Sequence, residues 1–337
     1  MTSTVVQPSS SEEHHPSQRR LPWPARHGAV MAALVMLGLV AYYLLTHLEG
    51  TRGQAFLLVC IWTVAVTGLN IVLGLGGYPS LAQASFYGGG AYLSTILLAR
   101  GMPMVLAAAL AVLAMIFAGL VVGLVFARTR GQYFAIGTLF FGAVVTLVFN
   151  NASEYTGGPN GRPVDLGFEP ETTLKLLAAS MVLGFLVFYV LARARLGARL
   201  LSIREDEDLA EHVGVPTART KLVALVLSAA FGAWAGVLLA QYNGVIAPTQ
   251  FTFGQSFLMF VAIGLGGYGR LLAPLVGSII VIGLPQVLDV GPGVSQIVVG
   301  IIFILVTLLV PGGIIGGLEG LYGWARGRLP AGAGAGS

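Results

Sequence analysis

Charge is scarce in this 337-residue sequence: Asp, Glu, Lys and Arg make up 9% of it, against 56% hydrophobic residues. A soluble domain carries about 25% charged residues, so too few are present to cover the surface of an ordinary cytosolic enzyme. Cysteine is nearly absent. The single one, Cys60, lies in an apolar run, which excludes a disulfide framework or a cysteine metal site. The histidines at 14, 15, 27, 47 and 212 fall in terminal segments, at a run's end or in a loop, so no histidine metal centre or buried acid–base pair is expected. There is no G-x-x-x-x-G-K-[ST] phosphate loop, the element that cradles nucleotide phosphates. No cofactor is expected, and any ATP hydrolysis that drives this chain belongs to another one.

Long apolar runs are what the sequence has. Ten occur, at roughly 28–48, 54–75, 80–99, 102–127, 132–149, 173–192, 222–242, 254–268, 272–288 and 295–312. A spanning helix needs about 20 apolar residues. The 254–268 run is short for that, and the 80–99 run is polar at its start. Each suits a half-helix or a re-entrant segment. The expected fold is an all-α polytopic membrane protein with about 8–10 transmembrane helices, some short or broken. Residues 1–27 and 321–337 are expected to be flexible cytoplasmic tails flanking a transmembrane domain over 28–320.

With the N-terminus placed inside and ten spans, 14 of the 18 Lys and Arg residues fall on inside segments. Cytoplasmic loops carry such an excess. Apart from Lys175 near an end, no Asp, Glu, Lys or Arg lies within a run. Proton relays and voltage sensors place ionisable groups at membrane depth, so their absence argues against both. Sodium coupling stays open, because backbone carbonyls can hold that ion.

Two glycine-rich stretches interrupt the runs. In the first, Gly76, Gly77 and Pro79 break one helix, and Ser80 is placed to cap the next. A helix start inside the protein, lined by Ser80, Gln83 and Ser85, offers polar contacts and a partial positive charge to a substrate carboxylate. A tight turn followed by close helix packing at Gly88–Gly90 explains the same residues. The second stretch repeats the tetrad Leu75-Gly76-Gly77-Tyr78 as Leu265-Gly266-Gly267-Tyr268. Internal repeats are common in transporters.

The loop 193–221 is the longest polar inside segment between runs. Leu200, Ile203, Leu209 and Val213 are expected to form the apolar side of short amphipathic helices. Gly214 and Pro216 mark a helix end. Such a helix presents charges to a soluble partner, or is only a solvated loop.

Four blocks resemble a known family. They are Gly77-Tyr78-Pro79-Ser80-Leu81 through Gly90-Ala91-Tyr92; Tyr133 to Thr138, ending in Thr156-Gly157-Gly158-Pro159-Asn160; Ile203-Arg204-Glu205 through Gly214-Val215, Lys221 and Ala235-Gly236; and Leu265 to Arg270 with Pro274 and Gly277. In order and spacing the chain resembles the LivM-like permease subunits of bacterial ABC importers for branched-chain amino acids, over about Leu69 to Gly320. The resemblance implies an inner-membrane protein, cytoplasmic at its N-terminus, paired with a related permease in the lipid bilayer. It also implies two cytoplasmic ATPases and an external binding protein, with no nucleic acid partner. The run from Asp208 to Gly214 resembles a degenerate form of the importer docking motif. This makes Arg204, Asp208, Ala210 and Gly214 the expected ATPase-docking residues. The outside loop 150–172 is either a dock for the binding protein or a connector.

The family pattern Gly-x-Leu-Ser-Leu-Gly-x-Ala reads Gly77-Tyr78-Pro79-Ser80-Leu81-Ala82-Gln83-Ala84 here, which bears on substrate choice. Relatives for urea and other amides leave that substrate class open. A self-sufficient channel or secondary carrier is the alternative that span composition alone allows.

Overall fold

The computed structural model describes residues 23–327, except 49, 127, 166, 288–290 and 311. All ten apolar runs are helical, as they must be where no water can satisfy backbone groups. In chain order the helices are α1 (Trp23–His47), α2 (Gly50–Leu69), α3 (Gln83–Ala99), α4 (Met104–Phe126), α5 (Gln132–Asn151), α6 (Ser153–Thr156), α7 (Pro170–Arg193) and α8 (Arg195–Glu205). Then come α9 (Glu207–His212), α10 (Thr217–Asn243), α11 (Phe253–Gly266), α12 (Ala273–Ser278), α13 (Leu284–Val287), α14 (Pro292–Leu309) and α15 (Gly313–Gly327). Helix α2 runs on as a π-helical segment, Asn70–Leu75, and a second π segment, Ile279–Gly283, joins α12 to α13. The strands are two-residue pieces, Arg162–Pro163 against Val245–Ile246.

Among the described residues, seven stretches are long and apolar enough to cross a bilayer: Val30–His47, Gly50–Leu75, Met104–Phe126, Gln132–Asn151, Pro170–Arg193, Thr217–Asn243 and Ile297–Gly320. The other three runs form α3 with 17 residues, α11 with 14, and the broken α12–α13 unit. The run expected to be short, 254–268, and the run with a polar start, 80–99, both form helices under 18 residues. Helix α1 starts at Trp23 and α15 ends at Gly327, so helix enters both expected tails. Residues 1–22 and 328–337 lie outside the described residues.

Helix α10 is the hub, packed on α2, α3 and α4. Its stretch Ala235–Gln241 is buried on every side, the pattern of a fully enclosed helix, while Arg219 and Val223 nearer its start are exposed. Glycine brings α3 and α10 together: a Cβ on Gly90 would fall on the Ala233 backbone, and one on Gly236 would fall on the Tyr87 carbonyl. Small residues allow such backbone approach in membrane bundles. By contrast α4 and α5 expose Leu113, Phe117, Leu124, Phe140, Val144 and Leu147, an apolar surface suited to lipid.

Candidate functional site

The first helix break is built as its composition demands. Helix α2 ends through its π segment at Leu75, and Gly77 takes φ 74°, a left-handed conformation open to glycine. Gln83, where α3 begins, lies five positions after Tyr78. Ala273, where α12 begins, lies at the same offset from Tyr268. In the second break Gly267 and Gly269 take φ 113° and 73°. The repeated tetrad thus has one architecture in both copies: a helix end, a glycine turn and a new helix.

Ser80 does not cap α3. The cap residue is Ala82, without a side-chain bond. The free amides at this start are satisfied from other helices: Leu81 N–H donates to Thr138 Oγ1 at 3.1 Å and Ala84 N–H to Ser256 Oγ at 2.9 Å. Ser80 sits two residues too early to reach the first turn. Its hydroxyl is buried and has no protein partner. Sequence reasoning missed Thr138 and Ser256 as caps because α5 and α11 are remote along the chain.

Gln83 is 1% exposed, and its amide is engaged within the protein. Nε2 donates to Ala65 O at 2.8 Å and Ser228 O at 3.2 Å, and Oε1 accepts from Ser228 Oγ at 2.8 Å. It ties α3 to α2 and α10. Ser85 is buried beside it in the same first turn. Among the described residues, five buried polar side-chain atoms lack a partner, and three belong to this region: Ser80 Oγ, Tyr87 OH and Tyr92 OH. Buried polar groups are normally paired. Tyr87 and Tyr92 stand in an aromatic cluster with Phe149 and Phe251, with centroids 4.8–6.3 Å apart. A path along α3 would therefore offer an aromatic wall and unspent hydroxyls.

The polar loop 193–221 folds as α8 and α9. Leu200 and Ile203 are buried, as expected, but Leu209 and Val213 are 62% and 70% exposed. The expected single apolar side is thus split: α8 packs on the bundle, while α9 turns its apolar residues outward. Asp206 caps α9 by accepting from Leu209 N–H at 2.9 Å. The acidic side of α9 is held internally. Arg130 pairs with Asp208 and Glu211, and Lys221 pairs with Glu207. Ala210 is buried, while Gly214 is exposed at φ 88° with open space around it.

Arg204 is turned toward the first break, where Nη1 donates to Gly74 O at 2.7 Å. Lys221 was counted as a loop charge, yet its side chain is 1% exposed, bonded to Thr129 O at 3.1 Å and set 5.6 Å from the Tyr78 ring centroid. These contacts bring the α4–α5 loop, α8, α9 and both breaks together at one end of the bundle.

The segment 150–172 is folded onto the opposite end. Val164 N–H donates to Gly244 O, and Gly167 and Phe168 N–H donate to Gln241 Oε1.

With seven membrane-length apolar stretches among its described residues and two helix breaks, this is a multi-pass membrane protein by architecture. Residues 51–307 match the family described as the branched-chain amino acid transport system permease component, and the chain belongs to that family. It is 31% identical over 290 residues to the Escherichia coli K12 high-affinity branched-chain amino acid transport permease LivM, covering 77% of this chain and 68% of the relative. It is 33% identical over 126 residues to LivH of the same strain, covering 36% and 40%. The autoinducer 2 import permease LsrD of Yersinia enterocolitica is 28% identical over 219 residues, covering 62% and 65%. No solved structure matches.

Proposed function

We propose that this chain is the path-forming permease subunit of an ATP-driven importer for branched-chain amino acids. It sits in the bacterial inner membrane, with its N-terminus and the α8–α9 end in the cytoplasm. It pairs with a second, related permease; two ATPases bind at α9, and an external binding protein delivers substrate near 150–172. The observation that carries the reading is the α8–α9 unit. α9 is braced internally on its acidic side and presents Leu209, Val213 and Gly214 outward. Exposed apolar residues on a polar membrane-end loop suit a protein partner better than solvent. The relatives LivM and LivH, named for branched-chain amino acid transport, support the substrate class and the paired permease.

Alternating access would carry substrate past α3. Ser80 has a free hydroxyl to offer it, Ser85 lies on the same turn, and Gln83 holds the frame. Asp208, with its carboxylate on Arg130, sets the pose of α9 for docking, and buried Ala210 seats it. The test is uptake of labelled leucine into proteoliposomes. The full complex is expected to need ATP and the binding protein. Uptake by the purified chain alone would overturn the importer reading in favour of a channel or carrier.

A further inference from the structure

Arg204 is the last arginine of α8, and among the described residues no carboxylate pairs with it. Its charge goes to a backbone carbonyl instead. Gly74 O lies in the last turn of the helix that starts as α2, where carbonyls lack intrahelical partners, and Arg204 Nη1 fills that vacancy at 2.7 Å. The same side chain lies over the turn: a Cβ on Gly77 would come within 2.9 Å of Arg204 Cβ. It also reaches the second break, since a Cβ on Gly269 would stand 3.3 Å from Arg204 Nη1 and 2.8 Å from Gly74 O.

Asn70 completes the junction. It is fully buried at the first position of the π segment. Its Oδ1 accepts from Gly269 N–H at 3.1 Å, and its Nδ2 donates to Arg270 O at 3.0 Å. Arg270 in turn donates to Gly312 O at 2.6 Å and pairs with Glu319 at 3.0 Å. A polar chain therefore runs from α8 through both glycine breaks to the α14–α15 turn. π-helical turns are frequent at functional sites.

We infer that Arg204 is a positioning residue for transport, acting on the two breaks rather than on the ATPase, and that Asn70 makes the breaks move as one unit. This rests on the importer reading. Displacement of α9 by a partner would pass through α8 to Arg204. The first break could not shift without carrying Gly269 and Arg270 along. Without the arginine, the ATPases would still dock and turn over, but their motion would reach the spans poorly.

The experiment uses the assembled transporter in proteoliposomes, with ATP hydrolysis and leucine uptake measured side by side. Arg204→Met is expected to keep ATPase co-purification and hydrolysis, while uptake per ATP falls about tenfold, within the ordinary range for coupling between sites. The half-saturating concentration of loaded binding protein stays unchanged. Arg204→Lys, which keeps the charge without the guanidinium fork, is expected to lie between. Unchanged uptake per ATP in Arg204→Met would overturn the inference. Loss of ATPase co-purification would also overturn it and make Arg204 a docking residue. If the Arg204→Met chain does not accumulate in the membrane, Arg204→Lys decides: a fall of about threefold supports the coupling role and wild-type coupling refutes it. Failure of the importer reading shows separately, as wild-type uptake that needs no ATP.

Discussion

The Gln83 amide is expected to act as a tether, and a double-mutant cycle with Ser228 measures it. Gln83→Met keeps an unbranched side chain in the slot beside Gly68 and Gly232, whose Cβ positions would lie 3.3 and 3.0 Å from Gln83 Nε2. It removes three hydrogen bonds. Side-chain bonds between membrane helices average about 0.6 kcal/mol and reach about 1.7, so the variant should lose about 2 kcal/mol. Ser228→Ala removes one of the two bonds the residues share, the hydroxyl bond to Gln83 Oε1, and leaves Gln83 Nε2 on the Ser228 carbonyl. In Gln83→Met the Ser228 hydroxyl can fall back on the carbonyl four residues earlier, as serines in helices do, which limits the loss. The coupling energy should be about 0.6–1.7 kcal/mol. The assay is detergent-driven unfolding of the purified chain in mixed micelles, followed by tryptophan fluorescence. Coupling below about 0.3 kcal/mol, the level at which independent sites simply add, would refute the tether. It would also free Gln83 for a direct substrate contact.

Gly90→Val should prevent accumulation of folded chain, because its Cβ meets the backbone of Ala233; a monodisperse variant at wild-type yield would contradict the close α3–α10 approach. Leu209→Glu combined with Val213→Glu should leave insertion intact and sharply reduce ATPase co-purification, read by pull-down from solubilised membranes. Lys221→Met strands the Glu207 carboxylate and should cost about 3 kcal/mol, the lower end for breaking a buried pair, since Glu207 keeps 20% side-chain exposure. The double variant Lys221→Met/Glu207→Gln should recover part of that stability, and equal losses in the two would argue against the pair.

Much of this architecture was legible from local signals. Ten apolar runs became ten helical segments, the two suspect runs came out short, and Gly76, Gly77 and Pro79 ended a helix where expected. The repeated tetrad also proved to be a repeated turn. Contacts between distant segments escaped the reading. Thr138 and Ser256 cap α3 across 57 and 172 residues of sequence, and nothing in their own neighbourhoods marks them. The apolar residues of the 193–221 loop illustrate a different limit. Leu200 and Leu209 share the same periodic signal, yet one packs on the bundle and the other faces outward. A pattern reports that a face avoids water, not whether its partner is this chain or another. Lys221 fails for a related reason: counting charges gives a side of the membrane but not a depth, and a lysine at the mouth of α10 can be wholly enclosed.

A chain with few carboxylates must anchor its cations differently where loops meet spans. A carboxylate drawn into that boundary loses hydration at a cost of several kcal/mol, whereas a carbonyl at a helix end is already unpaired and costs nothing to place. Three cationic side chains use such carbonyls: Arg204 on Gly74 O without a carboxylate, and Lys221 on Thr129 O and Arg270 on Gly312 O alongside Glu207 and Glu319. Each acceptor lies at or near an interruption of helix, and Asn70 uses a fourth at Arg270 O. The glycine breaks therefore do more than bend the path. The first releases the Gly74 carbonyl, which Arg204 of α8 grips without an ionised acid beside it. A break that only turned the chain could be replaced by any other turn of similar length. One that also supplies the handhold cannot, which ties the scarcity of charge in the spans to the position of the glycines.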